Sequence, residues 1–283
     1  MIYDLDKLEI KILDRKKFYD GVTFEYNNEL FYYKKVKNIR NYYNELIAEK
    51  LAKKLGVACC EYYHAYYDDE IGIVSKMFDK TKFVSMEDYL KSKYQNDNIS
   101  DRNNLEDIWN AFLLDFDEKT VEKLMTQLVN IFMFDSLIGN ADRHTENYGL
   151  IITDKTVDFA PLYDNENMLS DEAIYEGDYC LGIEYSDYEN ENQENLLYKF
   201  LNISADFYKE ELKEKIKYIS EESLEEIIKE LEKDEIIIPS AIKSDILKRF
   251  SCNRNMINNY FNGKKRKYWI YNLFFFFTLF FHK

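Results

Sequence analysis

The sequence lacks the marks of several common protein classes. Its four cysteines, Cys59, Cys60, Cys180 and Cys252, show no Cys-x-x-Cys spacing. That argues against a zinc site and a disulfide framework, and for reduced thiols in a cytoplasm. Positive charge is short: the formal net charge is -15. A nucleic-acid binder more often carries a basic patch, so no direct nucleic-acid partner is expected. The start, Met1 to Asp6, bears acids where a signal peptide needs bases. The longest apolar run, Tyr268 to Phe281, is interrupted by Asn272 and Thr278 and falls short of the roughly 20 residues a membrane span needs. Lys264-Lys265-Arg266-Lys267 precede it, so a weak membrane anchor is the lesser reading. A disordered or docked tail, or one translated past a frameshift, is the better one. Glycine (8) and proline (2) are rare beside tyrosine (25) and phenylalanine (20). We read this as base-composition drift, which excludes nothing about function.

What is present is 283 residues, 46% of them hydrophobic, enough for one large domain or two lobes with a proper core. Gly21 to Tyr26 and Leu30 to Lys34 flank Asn27-Asn28, which predicts a β-hairpin. From Glu45 to Leu55 the apolar positions share one helical face, and Gly56 ends the helix. Two more strands are expected over Glu61 to Tyr67 and Ile71 to Met77. The stripe of Tyr62, Tyr63, Tyr66 and Tyr67 reads as strand packing. Residues 1–78 thus give strand, strand, helix, strand, strand. After Phe78 helices dominate: Met86 to Lys93 capped by Ser85, Leu105 to Leu114, Thr120 to Leu137, a charged one over 204–231, and a last one that Pro239 opens. Short strands are expected at Gly149 to Thr153 and around Val157-Asp158-Phe159. The pattern is α+β and bilobal, with a cleft between the lobes.

One stretch, Leu137-Ile138-Gly139-Asn140-Ala141-Asp142-Arg143-His144-Thr145-Glu146-Asn147-Tyr148-Gly149-Leu150, is polar where its flanks are apolar, with Val129 to Phe134 on one side and Leu150-Ile151-Ile152 on the other. Such an island is usually a site. Phosphoryl transfer needs a carboxylate to orient the attacking hydroxyl, an Asn and a second Asp to hold Mg²⁺, and a Lys to grip phosphate. In protein kinases the base Asp precedes the metal-binding Asn by five residues. Asp142 precedes Asn147 by the same step, and Asp164 follows a hairpin in Ala160-Pro161-Leu162-Tyr163-Asp164-Asn165. The Lys belongs on a strand shortly before a helix bearing a Glu. Strand alternation lets only one of Lys34 and Lys35 face the cleft, and we favour Lys34. Its partner is then Glu45, with Glu49 one turn on as the alternative. His144, Arg143 and Asn140 are expected to fix the loop by hydrogen bonds, and Asp135 to bond its backbone. His64 has no evident partner.

These words resemble the HipA-like serine/threonine kinases, the toxin-type kinases of bacteria. The match rests on Leu137 to Leu150, on Ala160 to Asn165, and on Asn44-Glu45 with Leu51 to Gly56, within residues 30–170. The resemblance implies a kinase-like fold, ATP with Mg²⁺, and transfer to a serine or threonine of a protein substrate. It implies Asp142 as base and Asn147 and Asp164 as metal ligands. The chain reads as a short, stand-alone member without the extra N-terminal subdomain of the full-length toxins. It also departs from the kinase pattern in having no Gly-rich phosphate loop; only Gly21 offers a flexible point there.

The expected organisation is an N-lobe over 1–78 that covers the nucleotide, a hinge at Met77 to Asp79 with Met77 and Phe78 against the nucleotide, a helical C-lobe over 79–262, and a tail over 263–283 outside the fold. Two rival functions remain: a lipid or small-molecule kinase, and an inert kinase-fold binding module such as a toxin–antitoxin partner.

Overall fold

A computed structural model of the chain describes residues 2–16, 21–78, 81–94, 105–140, 142–169, 213–214, 217 and 219–261. The chain opens with β1 (Ile2–Asp4), a 3-10 turn (Leu5–Lys7) and β2 (Lys11–Lys16), two strands the sequence did not announce. The reason is physical. The three residues of β1 pair in parallel with a strand sixty positions on, Ile2 opposite His64. In β2, Ile12 and Leu13 are successive and both exposed, so no apolar alternation exists to read.

The expected hairpin follows as β3 (Gly21–Tyr26) and β4 (Glu29–Lys35). Asn27 and Asn28 both take left-handed φ, 53° and 62°, the turn geometry that suits two antiparallel strands. Helix α1 (Ile39–Leu55) is capped by Asn38, whose side chain accepts from the Arg40 N–H, and ends at Gly56 with φ 70°. Strands β5 (Tyr62–Tyr67) and β6 (Glu70–Lys76) join through Asp68 and Asp69, again both left-handed. The six strands form one sheet in the order β1-β5-β6-β4-β3-β2.

Alternation divides that sheet into two faces. Val22, Phe24, Phe31, Tyr33, Ala65 and Val74 make a small core with Leu5 of the 3-10 turn. Lys34 and Ile73 stand opposite each other on the other face, where Ile73 and Tyr62 pack with α1. The sequence pattern therefore aims Lys34 at α1 and the helical lobe.

That lobe starts with β7 (Phe83–Ser85), α2 (Met86–Lys93), α3 (Leu105–Asp115) and α4 (Glu118–Ile138). Ser85 caps α2 as expected, accepting from the Asp88 N–H, and Asp117 caps α4. Strands β8 (Gly149–Ile152) and β9 (Val157–Phe159) make a small sheet in the order β7-β8-β9. Gly149 is required there: a Cβ would lie 2.3 Å from the Val84 carbonyl oxygen. Helices α5 (Glu221–Lys233) and α6 (Ser240–Phe261) close the described fold. Of the expected charged helix over 204–231, residues 204–212, 215–216 and 218 lie outside the described residues, and its described end is a separate helix that Ser220 caps and Glu221 starts. The tail over 263–283 also lies outside the described residues. Among the described residues no helix is long and apolar enough to cross a membrane.

The large core is continuous from α1 through α4 to α5 and α6, with Ile47, Leu51, Phe112, Phe132, Leu137, Ile228 and Phe250 all but fully buried. It also reaches under α1. Tyr43 donates to the Ile237 carbonyl at 2.8 Å, and Arg40 pairs with Asp245 of α6 at 2.6 Å. Helix α1 is thus held by the helical lobe as well as by the sheet.

Candidate active site

The polar island between α4 and β8 is organised by one buried guanidinium. Arg143 is completely buried. Its Nε and Nη2 donate to the two Asp135 oxygens at 3.0 and 2.9 Å. Nη1 donates to the Asn147 and Tyr163 carbonyls at 2.9 and 2.7 Å, and Nη2 to Asn165 Oδ1 at 2.6 Å. A forked, planar donor suits this role, because five N–H groups reach several loops from one point. Burial holds the Asp135 carboxyl above its usual value and by itself would push the guanidinium down. The groups around it, Asp135 foremost with Cys59 and Glu45 behind, together outweigh burial at Arg143, whose pKa is raised. The pair is ionised, since both Asp135 oxygens already accept from the cation. Asp135 was expected to bond backbone; it instead takes Arg143 and the Asn140 amide, at 3.2 Å.

Around this hub the predicted residues come together. Asn140 Oδ1 accepts from the Asp142 N–H at 3.1 Å. Asn147 Nδ2 donates to the Asp142 carbonyl at 2.8 Å, which turns its Oδ1 the other way. His144 Nδ1 accepts from the Glu146 N–H at 3.3 Å, and its Nε2 lies 3.9 Å from Asp142 Oδ1, outside hydrogen-bond range. The start of α2 steadies the loop from below: the Met86 and Glu87 N–H groups donate to the Tyr148 and Thr145 carbonyls at 2.9 and 3.0 Å. The open N–H groups of a helix start are thereby satisfied.

The segment after β9 is pinned from α1. Glu45 is 2% exposed, and its Oε2 accepts from the Asn165 N–H at 2.9 Å. Asn44 Nδ2 donates to the Glu166 and Met168 carbonyls at 2.8 and 2.6 Å. Arg40 Nη2 donates to the Leu169 carbonyl at 2.7 Å. The Leu169 N–H donates to the Ile138 carbonyl at 2.9 Å. Asp164 and Leu169 bracket the segment with φ of 56° and 48°. Left-handed backbone costs an L-residue about 1–2 kcal/mol. Five hydrogen bonds from α1 and α4 hold it in place.

Lys34 reaches into the same place from β4. Its Nζ lies 2.7 Å from Asp164 Oδ1 and 2.6 Å from Glu166 Oε2. Burial opposes its charge, but Asp164, Glu45 and Glu166 together raise its pKa above the usual lysine value. The expected Lys34–Glu45 ion pair is therefore replaced. Glu45 is engaged by the Asn165 backbone, and Glu166, which the sequence reading missed, takes its place at Lys34. Burial, opposed by Lys34, pushes the Glu45 carboxyl up to about 7. Lys35 points to the other face and pairs with Glu70 at 3.0 Å. Glu49 is surrounded by Lys50, Lys53, Glu61 and Glu230, away from Lys34.

Oxygens of Glu45, Asp164 and Glu166 lie within 4.8 Å of one another. Three carboxylates against one lysine leave the cluster short of positive charge, and hard oxygen donors of this kind fit Mg²⁺. Two further expectations changed. Tyr62 is more than strand packing, since its hydroxyl accepts from the Asp164 N–H at 3.2 Å. His64 has a partner, the Tyr42 hydroxyl at 2.5 Å from Nδ1. Gly21 is the first residue of β3, with the Tyr32 ring where a side chain would go. Where the hinge was expected, the Met77 N–H donates to the Leu30 carbonyl at 2.8 Å, and Phe78 packs against Phe83 and Tyr163 with centroids at 4.9 and 5.9 Å.

A strand lobe with an inward lysine, a helical lobe and two polar loops between them define the bilobal kinase-like fold. The chain belongs to the HipA-like C-terminal domain family, whose model matches residues 22–235. It is similar to the proinflammatory kinase CtkA of Helicobacter pylori, at 17% identity and a TM-score of 0.70, over 94% of this chain and 99% of that one. It is also similar to HipA of Shewanella oneidensis, solved in a toxin–antitoxin complex with HipB and operator DNA. There the identity is 15% and the TM-score 0.54, over 89% of this chain and 66% of that one. No curated protein matches the sequence at a significant level.

Proposed function

We propose that the protein is an ATP- and Mg²⁺-dependent protein serine/threonine kinase of the HipA-like type. One observation carries the reading. Arg143 ties together the backbones of Asn147 and Tyr163, on either side of which stand Asp142 and Asp164, and Lys34 meets Asp164 from the facing sheet. Asp142 orients the acceptor hydroxyl and takes its proton on a carboxylate oxygen. Lys34 exchanges its carboxylate partners for phosphate oxygens, and Glu45 sets the charge around it. Asn147 through Oδ1 and Asp164 through its carboxylate would hold Mg²⁺, which neutralises charge on the transferring phosphate when bound. Residues 1–78 form the nucleotide-covering half, with Met77 and Phe78 at the hinge. The Met77 N–H is engaged by Leu30, so adenine would be met there by other groups, among them the Met77 carbonyl and the Phe78 ring. A HipB-like antitoxin is the partner class that the likeness to HipA suggests.

Incubation of the chain with γ-labelled ATP, Mg²⁺ and a cell lysate tests the reading. Label is expected on serine or threonine of protein. With Asp142→Asn the rate should fall at least about 100-fold, the range of general-base effects, with no change in unfolding temperature. Label in lipid would overturn the acceptor class. Absence of Mg²⁺-dependent stabilisation by ATP would favour an inert module, because a ligand that binds the native state must stabilise it.

A further inference from the structure

The carboxylate of Asp142 is short of donors. Its backbone N–H is taken by Asn140, and His144 Nε2 is 3.9 Å from Oδ1, too far to donate. Among the described residues one side chain donates to the carboxylate: Asn167 Nδ2, 2.8 Å from Asp142 Oδ2. The two residues are 25 positions apart and sit on different loops. Asn167 stands three residues after Asp164, in the segment that α1 and α4 already pin through Asn165, Glu166, Met168 and Leu169. That segment therefore does not need the Asn167 bond to keep its shape. What the bond fixes is the rotation of the Asp142 carboxylate.

We propose that Asn167 is a positioning residue for phosphoryl transfer: it holds Oδ2 of Asp142 and so leaves Oδ1 to receive the acceptor hydroxyl. The inference rests on the kinase reading above. A base must present one oxygen in a narrow range of directions, and a misplacement of about 1 Å lowers rates by about 100-fold. An amide suits the task. It donates without bringing a positive charge that would weaken the carboxylate as a base, as a lysine or arginine would. It also ties the base to the turn that carries Asp164, so that both groups are set by one segment.

The test compares wild type with Asn167→Ala, Asn167→Gln and Asn167→Asp in the full chain. The readouts are unfolding temperature, Mg²⁺·ATP binding by thermal shift, and the initial rate of label transfer from γ-labelled ATP to lysate protein at saturating ATP. Asn167→Ala should lower the rate roughly 10- to 100-fold. Its nucleotide binding should stay within about twofold, so that the loss falls on the transfer rate at saturating ATP and not on ATP binding. Asn167→Gln should recover part of the rate. Asn167→Asp should be the slowest of the three, since its carboxylate repels the one it faces and donates nothing to it. A transfer rate equal to wild type in Asn167→Ala, or a loss that Asn167→Gln does not partly recover, would overturn the proposal and leave the kinase reading standing. So would an Asn167→Asp variant faster than Asn167→Gln at pH 7. A wild type that transfers no label would overturn both.

Discussion

The two halves of the site are built on opposite electrostatic conditions. Asp135 and Arg143 form an ion pair with no exposed side-chain area, and their hydrogen bonds fill every direction the guanidinium offers. Lys34, Asp164 and Glu166 form theirs at 28%, 36% and 30% exposure, open to the solvent that would bring a ligand. A saturated buried pair has no partner to exchange and can only hold geometry. A half-exposed lysine between carboxylates can trade one anion for another. The first half is a frame for the second.

The contrast is most severely tested at Asp135. Asp135→Ala leaves Arg143 buried without its counter-ion and should destabilise the chain by about 3–5 kcal/mol in urea or thermal unfolding. A loss below about 1 kcal/mol would mean that the hub is not the frame. Lys34→Met should behave the other way. Ion pairs this exposed change stability by about 1 kcal/mol or less. Nucleotide binding should weaken roughly 10- to 100-fold, the worth of a charge-assisted hydrogen bond, as read by ATP titration. Equal damage to stability and to binding would erase the distinction.

The smallest effect is expected at Glu45, where the two halves meet. Its folded-state value of about 7 lies above the ordinary 4.5. The folded chain therefore binds this proton more tightly than the unfolded one. The stability it contributes is complete below about pH 4.5 and is lost as pH rises through about 7. Glu45→Gln should flatten the fall of stability with pH across that window in denaturant titrations. A slope unchanged from wild type would place the proton elsewhere in the cluster.

Much of this arrangement was legible because local patterns carry it. The Asn27-Asn28 turn, the Gly56 helix stop and the Ser85 cap are readable from a few neighbouring residues, since each satisfies backbone groups nearby. The five-residue step from Asp142 to Asn147 is likewise local, and Arg143 ties the Asn147 carbonyl to that of Tyr163, the residue before Asp164. Glu166 and Asn167 were not legible. They follow Asp164 as ordinary polar residues, and nothing in Asn165-Glu166-Asn167 says which side chain turns to Lys34 and which to Asp142. β1 escaped for the same reason, its three residues having meaning only beside β5.

The sequence by itself determined the class of fold and the residue types of the site, because periodicity, turn chemistry and motif spacing act over a handful of positions. The tertiary structure alone decided who pairs with whom. Lys34 meets Asp164 and Glu166 rather than Glu45, and Arg143 becomes the centre of the loop rather than one of its rim residues. Those choices depend on burial and on distances between groups far apart in the chain. Charge strength and hydrogen-bond geometry there are set by the packed surroundings, and no short stretch of sequence contains them.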